Sequence, residues 1–241
     1  MNKLDLNNVT LIGCTTRDHT DTVLALQHCM KLCDFANIVY FSDIDPKIES
    51  IHWIECPKFM TYADICIWFM TSIFKYKEFF SGHILSIHWD GYIVSPDKWN
   101  KEFLSYDFIG SPWPNKLVGN NGFCMYSKKM IEGIESLKLP PTEAACHGSD
   151  KKISLVYRQQ LIDFGVNFCP YDLAFQFSTE TYGYYHYPYG FKYNGSFGFH
   201  GLYSIAGMKD YNVCLPDHHK HWLNYKGDEA NLLSVPEFLK S

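Results

Sequence analysis

Apolar and polar positions follow a regular order over the first ninety or so residues. Val9-Thr10-Leu11-Ile12-Gly13-Cys14-Thr15-Thr16 is a β-branched, mostly apolar run that predicts a first strand. From Asp21 to Cys33, Val23, Leu24, Leu26, Met30 and Leu32 recur at a mostly helical spacing, and Thr20 or Asp21 suits the helix cap. Ile38-Val39-Tyr40-Phe41 predicts a second strand, closed by Ser42-Asp43-Ile44-Asp45-Pro46. Strand, helix and strand within about thirty residues make a βαβ unit, which crosses over right-handed into a parallel sheet. A short strand at His52-Trp53-Ile54, an aromatic-rich helix from Ala63 to Phe80 and a strand from Ile84 to Trp89 follow.

Beyond Trp89 the pattern becomes mixed. Short strands are expected at Tyr106–Gly110, closed by Ser111-Pro112-Trp113-Pro114, and at Gly122–Tyr126, with a helix from Ser127 to Ser136. Pro140-Pro141 breaks the chain, and Asp150 to Phe164 reads as a helix stopped by Gly165. Val166–Pro170 reads as a strand, and the Tyr-, Gly- and Phe-rich run from Phe177 to Tyr203 as irregular. No repeat or linker divides the chain. The expectation is one α/β domain over residues 1–241, with a mostly parallel central sheet and a more mixed C-terminal half.

Composition narrows this picture. The 241 residues are 46% hydrophobic, enough for a sizeable core, and 17% aromatic, which suits either core packing or stacking surfaces for sugars and bases. A formal charge of −5 argues against strong, sequence-independent binding to a nucleic-acid backbone. Nine cysteines, at 14, 29, 33, 56, 66, 124, 146, 169 and 214, form no Cys-x-x-Cys and lie mostly in apolar runs, so reduced, buried thiols are expected rather than a disulfide framework. No signal-peptide core opens the sequence and no apolar run reaches membrane-spanning length, so a soluble, cytoplasmic protein is expected.

The run Ile84-Leu85-Ser86-Ile87-His88-Trp89 ends in Asp90-Gly91. A buried strand that ends so delivers a carboxylate to the carboxyl edge of a parallel sheet, where open α/β sheets bind ligands. Alternate strand residues share a face, so His88 and Asp90 could hold Mn²⁺ together, whereas Mg²⁺ would favour the carboxylate. A buried histidine beside a capping aspartate is the plainer alternative. Gly119-Asn120-Asn121-Gly122 could lay bare backbone N–H groups against a substrate, or form an ordinary Asn-Gly turn. Ser149-Asp150, at a helix start, is either a cap or a carboxylate that takes an acceptor's proton. His200-Gly201, after Gly195 and Gly198, could meet a phosphate or a metal, although a lone histidine is more often structural. Asp217-His218-His219-Lys220-His221 matches no zinc spacing and reads as a polar surface loop. The aromatic run from Tyr182 to Tyr189 reads equally as a stacking wall or as loop packing. Taken in order, the strand-end aspartate, the glycine loop and the late His-Gly suggest a nucleotide-sugar-dependent glycosyltransferase.

Four ordered motifs carry a family resemblance: Asp90-Gly91 at a strand end, Tyr106 to Pro114, Val118 to Phe123 with Ser127-Lys128-Lys129-Met130, and Ala174 to Glu180. Through them the chain resembles the DUF5672 family, bacterial and viral proteins generally taken to be glycosyltransferase-like with the GT-A fold of nucleotide-diphospho-sugar transferases. The resemblance implies a nucleotide-sugar-binding half over residues 1–95 and an acceptor-binding half over residues 96–241. It implies a donor site of Thr15, Thr16, Asp43, His88, Asp90, His200 and Gly201. His88, Asp90 and His200 would hold Mn²⁺ or Mg²⁺ on the diphosphate of a UDP-sugar, with His88 standing where GT-A enzymes usually carry a first carboxylate. Trp113, Gly119, Asn120, Asn121, Gly122 and Ser149 would face the acceptor, and Asp150 would be the base of an inverting displacement. The acceptor is expected to be a glycan. Hydroxymethylated DNA bases, as modified by viruses, are a different acceptor class, and a non-catalytic nucleotide-sugar-binding module is a third reading.

Overall fold

The computed structural model describes residues 2–145, 148–184 and 187–225, without the side chains of 144, 145, 182–184 and 187–190. The expected βαβ unit is β1 (Leu4–Cys14), α1 (His19–Leu32) and β2 (Cys33–Ser42), followed by β3 (His52–Glu55). Helix α2 (Tyr62–Ser72) starts at a capping box: Thr61 Oγ1 accepts from Asp64 N–H, and the Asp64 carboxylate accepts from Thr61 N–H. It runs on as 3₁₀ turns over Ile73–Phe79, and β4 (His83–Ile87) follows. Next come β5 (Phe108–Gly110), β6 (Phe123–Ser127), α3 (Lys128–Ser136) and α4 (Pro141–Ala145).

These strands form one six-stranded sheet in the order β3-β2-β1-β4-β6-β5. Strands β3, β2, β1 and β4 run parallel, and β6 runs antiparallel to both β4 and β5. This is the α/β class expected, with a mostly parallel central sheet. Its register sets up the site. Gly13 pairs with Ile87 and Ile87 with Phe123, so the loop after β1, the turn after β4 and the glycine loop before β6 meet at one edge.

The C-terminal part departs from the expected pattern. The helix expected over residues 150–164 is three pieces: α5 (Ser149–Lys151), a π-helical turn over Lys152–Val156 and α6 (Arg158–Asp163). Tyr157 leaves helical geometry at φ −106°, ψ 10°, and its N–H reaches back five residues to Lys152. The strand expected at Val166–Pro170 amounts to a single bridge between Phe108 and Phe168. The segment expected to be irregular contains the end of α7 (Tyr171–Phe177), then β7 (Ser178–Tyr184), β8 (Tyr187–Gly190) and β9 (Gly198–His200), before α8 (Tyr203–Ala206). The three strands make a second sheet in the order β8-β7-β9.

Aromatic rings pack β6 against the segments that lead into the second sheet. Phe123 of β6 lies 5.0 Å from Phe177, ring centre to ring centre, and 6.0 Å from Phe197, and all three are fully buried. One continuous core runs from Leu6 to Met208 and spans both halves of the chain. The eight described cysteines are free thiols, six of them buried, and Cys146 lies outside the described residues. Among the described residues no helix is long and apolar enough to cross a membrane.

Candidate active site

A cleft of about 300 Å³ opens at the carboxyl edge of the central sheet. Thr15, His88, Asp90, Asn120, Asn121, Gly122, Asp150 and His200 all line it. These residues come from five separate stretches of sequence.

Strand β4 ends at Ile87, two residues before the expected boundary. His88 to Gly91 form a tight turn, with His88 N–H donating to Gly91 O at 3.1 Å and Gly91 N–H donating back to His88 O at 3.2 Å. His88 and Asp90 are therefore brought together by a turn, not by alternation along a strand. Gly201, at φ +83°, donates its N–H to Asp90 O at 2.8 Å and ties the end of β9 to the turn.

Both ring nitrogens of His200 face a carboxylate. Its Nδ1 lies 2.8 Å from Glu180 Oε1, and its Nε2 lies 3.4 Å from Asp90 Oδ1. The His88 ring meets it edge-on, 5.6 Å between centres. A Cβ at Gly122 would overlap the His200 ring, so glycine is required there by close approach rather than by turn geometry. Gly122→Ala is expected to push the ring aside, to destabilise the fold by about 1–3 kcal/mol of overpacking, and to weaken Mn²⁺ binding. Thermal unfolding and metal titration of the variant check both.

The charges are interdependent. Burial works against a proton on His200, yet Asp90 and Glu180 outweigh it and raise the imidazole pKa from 6.5 to about 10. Burial, aided by the charge on His200, drives His88 down to about 4, so His88 is neutral. Burial alone would raise the Asp90 carboxyl, but His200 and His88 hold it below the usual carboxylate range. Folded His200 keeps a proton that the unfolded chain releases near pH 6.5, so its stabilisation is complete below that pH and is lost as pH rises toward about 10. Asp90 has the opposite sign: its contribution is lost in acid. In EDTA the thermal midpoint should therefore fall as pH rises from about 6.5 to about 10, and His200→Gln should flatten that slope.

The glycine loop is rigid. Asn120 adopts φ +63°, which asparagine tolerates, and its Oδ1 accepts from Gly122 N–H at 2.7 Å. Asn121 donates through Nδ2 to Ser149 Oγ and accepts from Tyr126 OH at 2.9 Å. Asp150 is no helix cap: Gly148 stands at that position, and no side chain caps the helix. The Asp150 carboxylate accepts from Lys151 N–H at 2.8 Å and faces the cleft.

Other expected site residues stand apart from the cleft lining. Thr16 Oγ1 is used by the Phe59 backbone in both directions, and Asp43 Oδ1 sits 3.1 Å from His19 Nε2. Gly201 spends its N–H on the turn. Trp113 packs where a Cβ on Gly119 would be, and Ser149 is buried between Asn121 and Cys66. None of these six lines the cleft. His219, expected on a surface loop, is buried in a 3₁₀ turn over Asp217–Asn224, where its Nδ1 pairs with Tyr92 OH at 2.7 Å. The aromatic run from Tyr182 to Tyr189 falls on side chains outside the description.

The donor atoms of His88, Asp90 and His200 all lie within 4.8 Å of one another, and among the described residues this is the group able to hold a metal ion. Two imidazoles and a carboxylate suit Mn²⁺, and the carboxylate on the far nitrogen of His200 is the usual support of a ligating histidine, so the residues fit such an ion. Sequence reasoning missed Glu180, whose tie to His200 exists only through the β7–β9 register. It also missed Arg17 at the rim and Tyr62 beside Asp150.

No curated protein matches the sequence. The chain is similar to several solved structures, among them the following two. Core-mannan synthase A from Aspergillus fumigatus, in its Mn/GDP form, is 9% identical over 62% of this chain and 69% of its own, with a TM-score of 0.43. A glycosyltransferase involved in the glycosylation of the major capsid of PBCV-1 is 14% identical over 71% of this chain and 84% of its own, with a TM-score of 0.44. A family model described as a protein of unknown function, DUF5672, matches residues 57–200, and the chain belongs to that family.

Proposed function

We propose that the chain is a nucleotide-sugar-dependent glycosyltransferase that moves a sugar from a nucleoside-diphosphate donor, a UDP-sugar, to a glycan hydroxyl with inversion. The observation that carries this reading is the meeting of the His88–Asp90–His200 group and the Asp150 carboxylate in one cleft at the ligand-binding edge of an α/β sheet.

In this mechanism Asp150 takes the proton of the acceptor hydroxyl as the oxygen attacks the anomeric carbon. The bond from that carbon to the diphosphate oxygen breaks on the opposite side, and its electron pair leaves with the nucleoside diphosphate. His88, Asp90 and His200 would hold a divalent cation, which when bound would supply positive charge against that leaving group. Thr15 lines the donor side, and Asn120, Asn121 and Gly122 present a rigid loop to the reacting sugars.

A thermal-shift screen of nucleotide sugars, with and without Mn²⁺, tests this. A donor at a hundred times its Kd stabilises the folded state by about 2.7 kcal/mol, so the matching donor should stand out clearly. If no nucleotide sugar raises the melting temperature in Mn²⁺, the proposal fails.

A further inference from the structure

Glu180 ends the Ala174–Glu180 motif, and the transfer chemistry gives it no task. It is 2% exposed, a depth at which a carboxylate persists when it is paired. Strands β7 and β9 run parallel with Glu180 directly opposite His200, so both side chains stand on one face. Glu180 Oε1 lies 2.8 Å from Nδ1, which leaves Nε2 facing Asp90. A Cβ at Gly91 or Gly122 would run into the His200 ring, so the two glycines leave the room the ring occupies.

We propose that Glu180 is a positioning residue: by holding a proton on Nδ1 of His200, it fixes the ring and tautomer that present the Nε2 lone pair to the cation at the diphosphate end of the cleft. The metal-free ring carries a second proton on Nε2, which the cation displaces on binding. In the neutral imidazole that results one nitrogen donates and the other accepts, and the hydrogen bond on one decides the role of the other. A carboxylate behind a ligating histidine both orients the ring and raises its basicity. The second sheet, on this account, serves the first by setting Glu180 and His200 in register. The inference rests on the reading of His88, Asp90 and His200 as a cation site.

The test uses the full chain and Mn²⁺ alone as the calorimetric probe. Glu180→Leu should weaken Mn²⁺ binding about 10–100-fold. Glu180→Gln still offers an amide oxygen to Nδ1–H and should lose only about fivefold or less. ¹⁵N NMR of histidine-labelled wild type loaded with diamagnetic Zn²⁺ should show His200 protonated at Nδ1 and bound through Nε2. If Glu180→Leu fails to fold, the wild-type tautomer still decides. Wild-type Mn²⁺ affinity in both variants, or a His200 bound through Nδ1, overturns the inference while leaving the cation site in place. No Mn²⁺ binding by wild type overturns the inference and the cation site together.

Discussion

Asp90→Ala is expected to abolish transfer while leaving the fold intact. The turn that carries Asp90 is held by main-chain bonds from His88, Gly91 and Gly201, and alanine keeps all of them. What is lost is the carboxylate 3.4 Å from His200 Nε2 and with it the anionic member of the metal-holding group. A contact that stabilises charge on the departing diphosphate is realised mainly in the transition state, so kcat/KM should fall at least about 10³-fold, or roughly 4 kcal/mol. His200 also loses one of the two carboxylates that hold its proton, so the alkaline fall in stability should move to lower pH. Circular dichroism and donor turnover on the purified variant separate the two effects. Near wild-type turnover with any donor would remove Asp90 from the site.

Asp150→Asn is the second large effect. The amide preserves the shape of the side chain and an oxygen for Lys151 N–H, but it cannot take a proton. Loss of a general base usually costs about 10²–10⁴-fold, and that fall should appear in kcat with donor affinity nearly unchanged. Single-turnover rates together with a donor binding isotherm give this split. A kcat within a few-fold of wild type would place the base elsewhere, or point to retention of configuration, which needs no base at this position.

The N-terminal half was legible because each element there satisfies one simple period. The apolar run of β1, the helical spacing of α1 and the closing Ser42-Asp43 of β2 each announce themselves locally. The second sheet was not legible: β7 reads Ser-Thr-Glu-Thr-Tyr-Gly-Tyr and β9 only Gly-Phe-His, short stretches without the apolar–polar alternation that marks a strand. The same division holds in the cleft. Asp90, Asn120 to Gly122 and His200 sit at strand ends or beside glycines, and Asp150 at a helix start, so their neighbours in sequence pointed to them. Thr16 and Ser149 had equally suggestive neighbours, but their side chains are hydrogen-bonded to Phe59 and Asn121. Glu180 lies twenty residues from the histidine it serves, and only strand pairing brings the two together.

The central claim is that the cleft binds a nucleoside diphosphate through a cation held at Asp90. Calorimetric titration of UDP and GDP into the wild-type chain, in EDTA and then in Mn²⁺, tests it most directly. The account predicts that Mn²⁺ tightens binding of one of them about tenfold or more, and that Asp90→Ala removes the difference. Equal affinities in EDTA and Mn²⁺, or an Asp90→Ala variant that keeps the full metal effect, would contradict it.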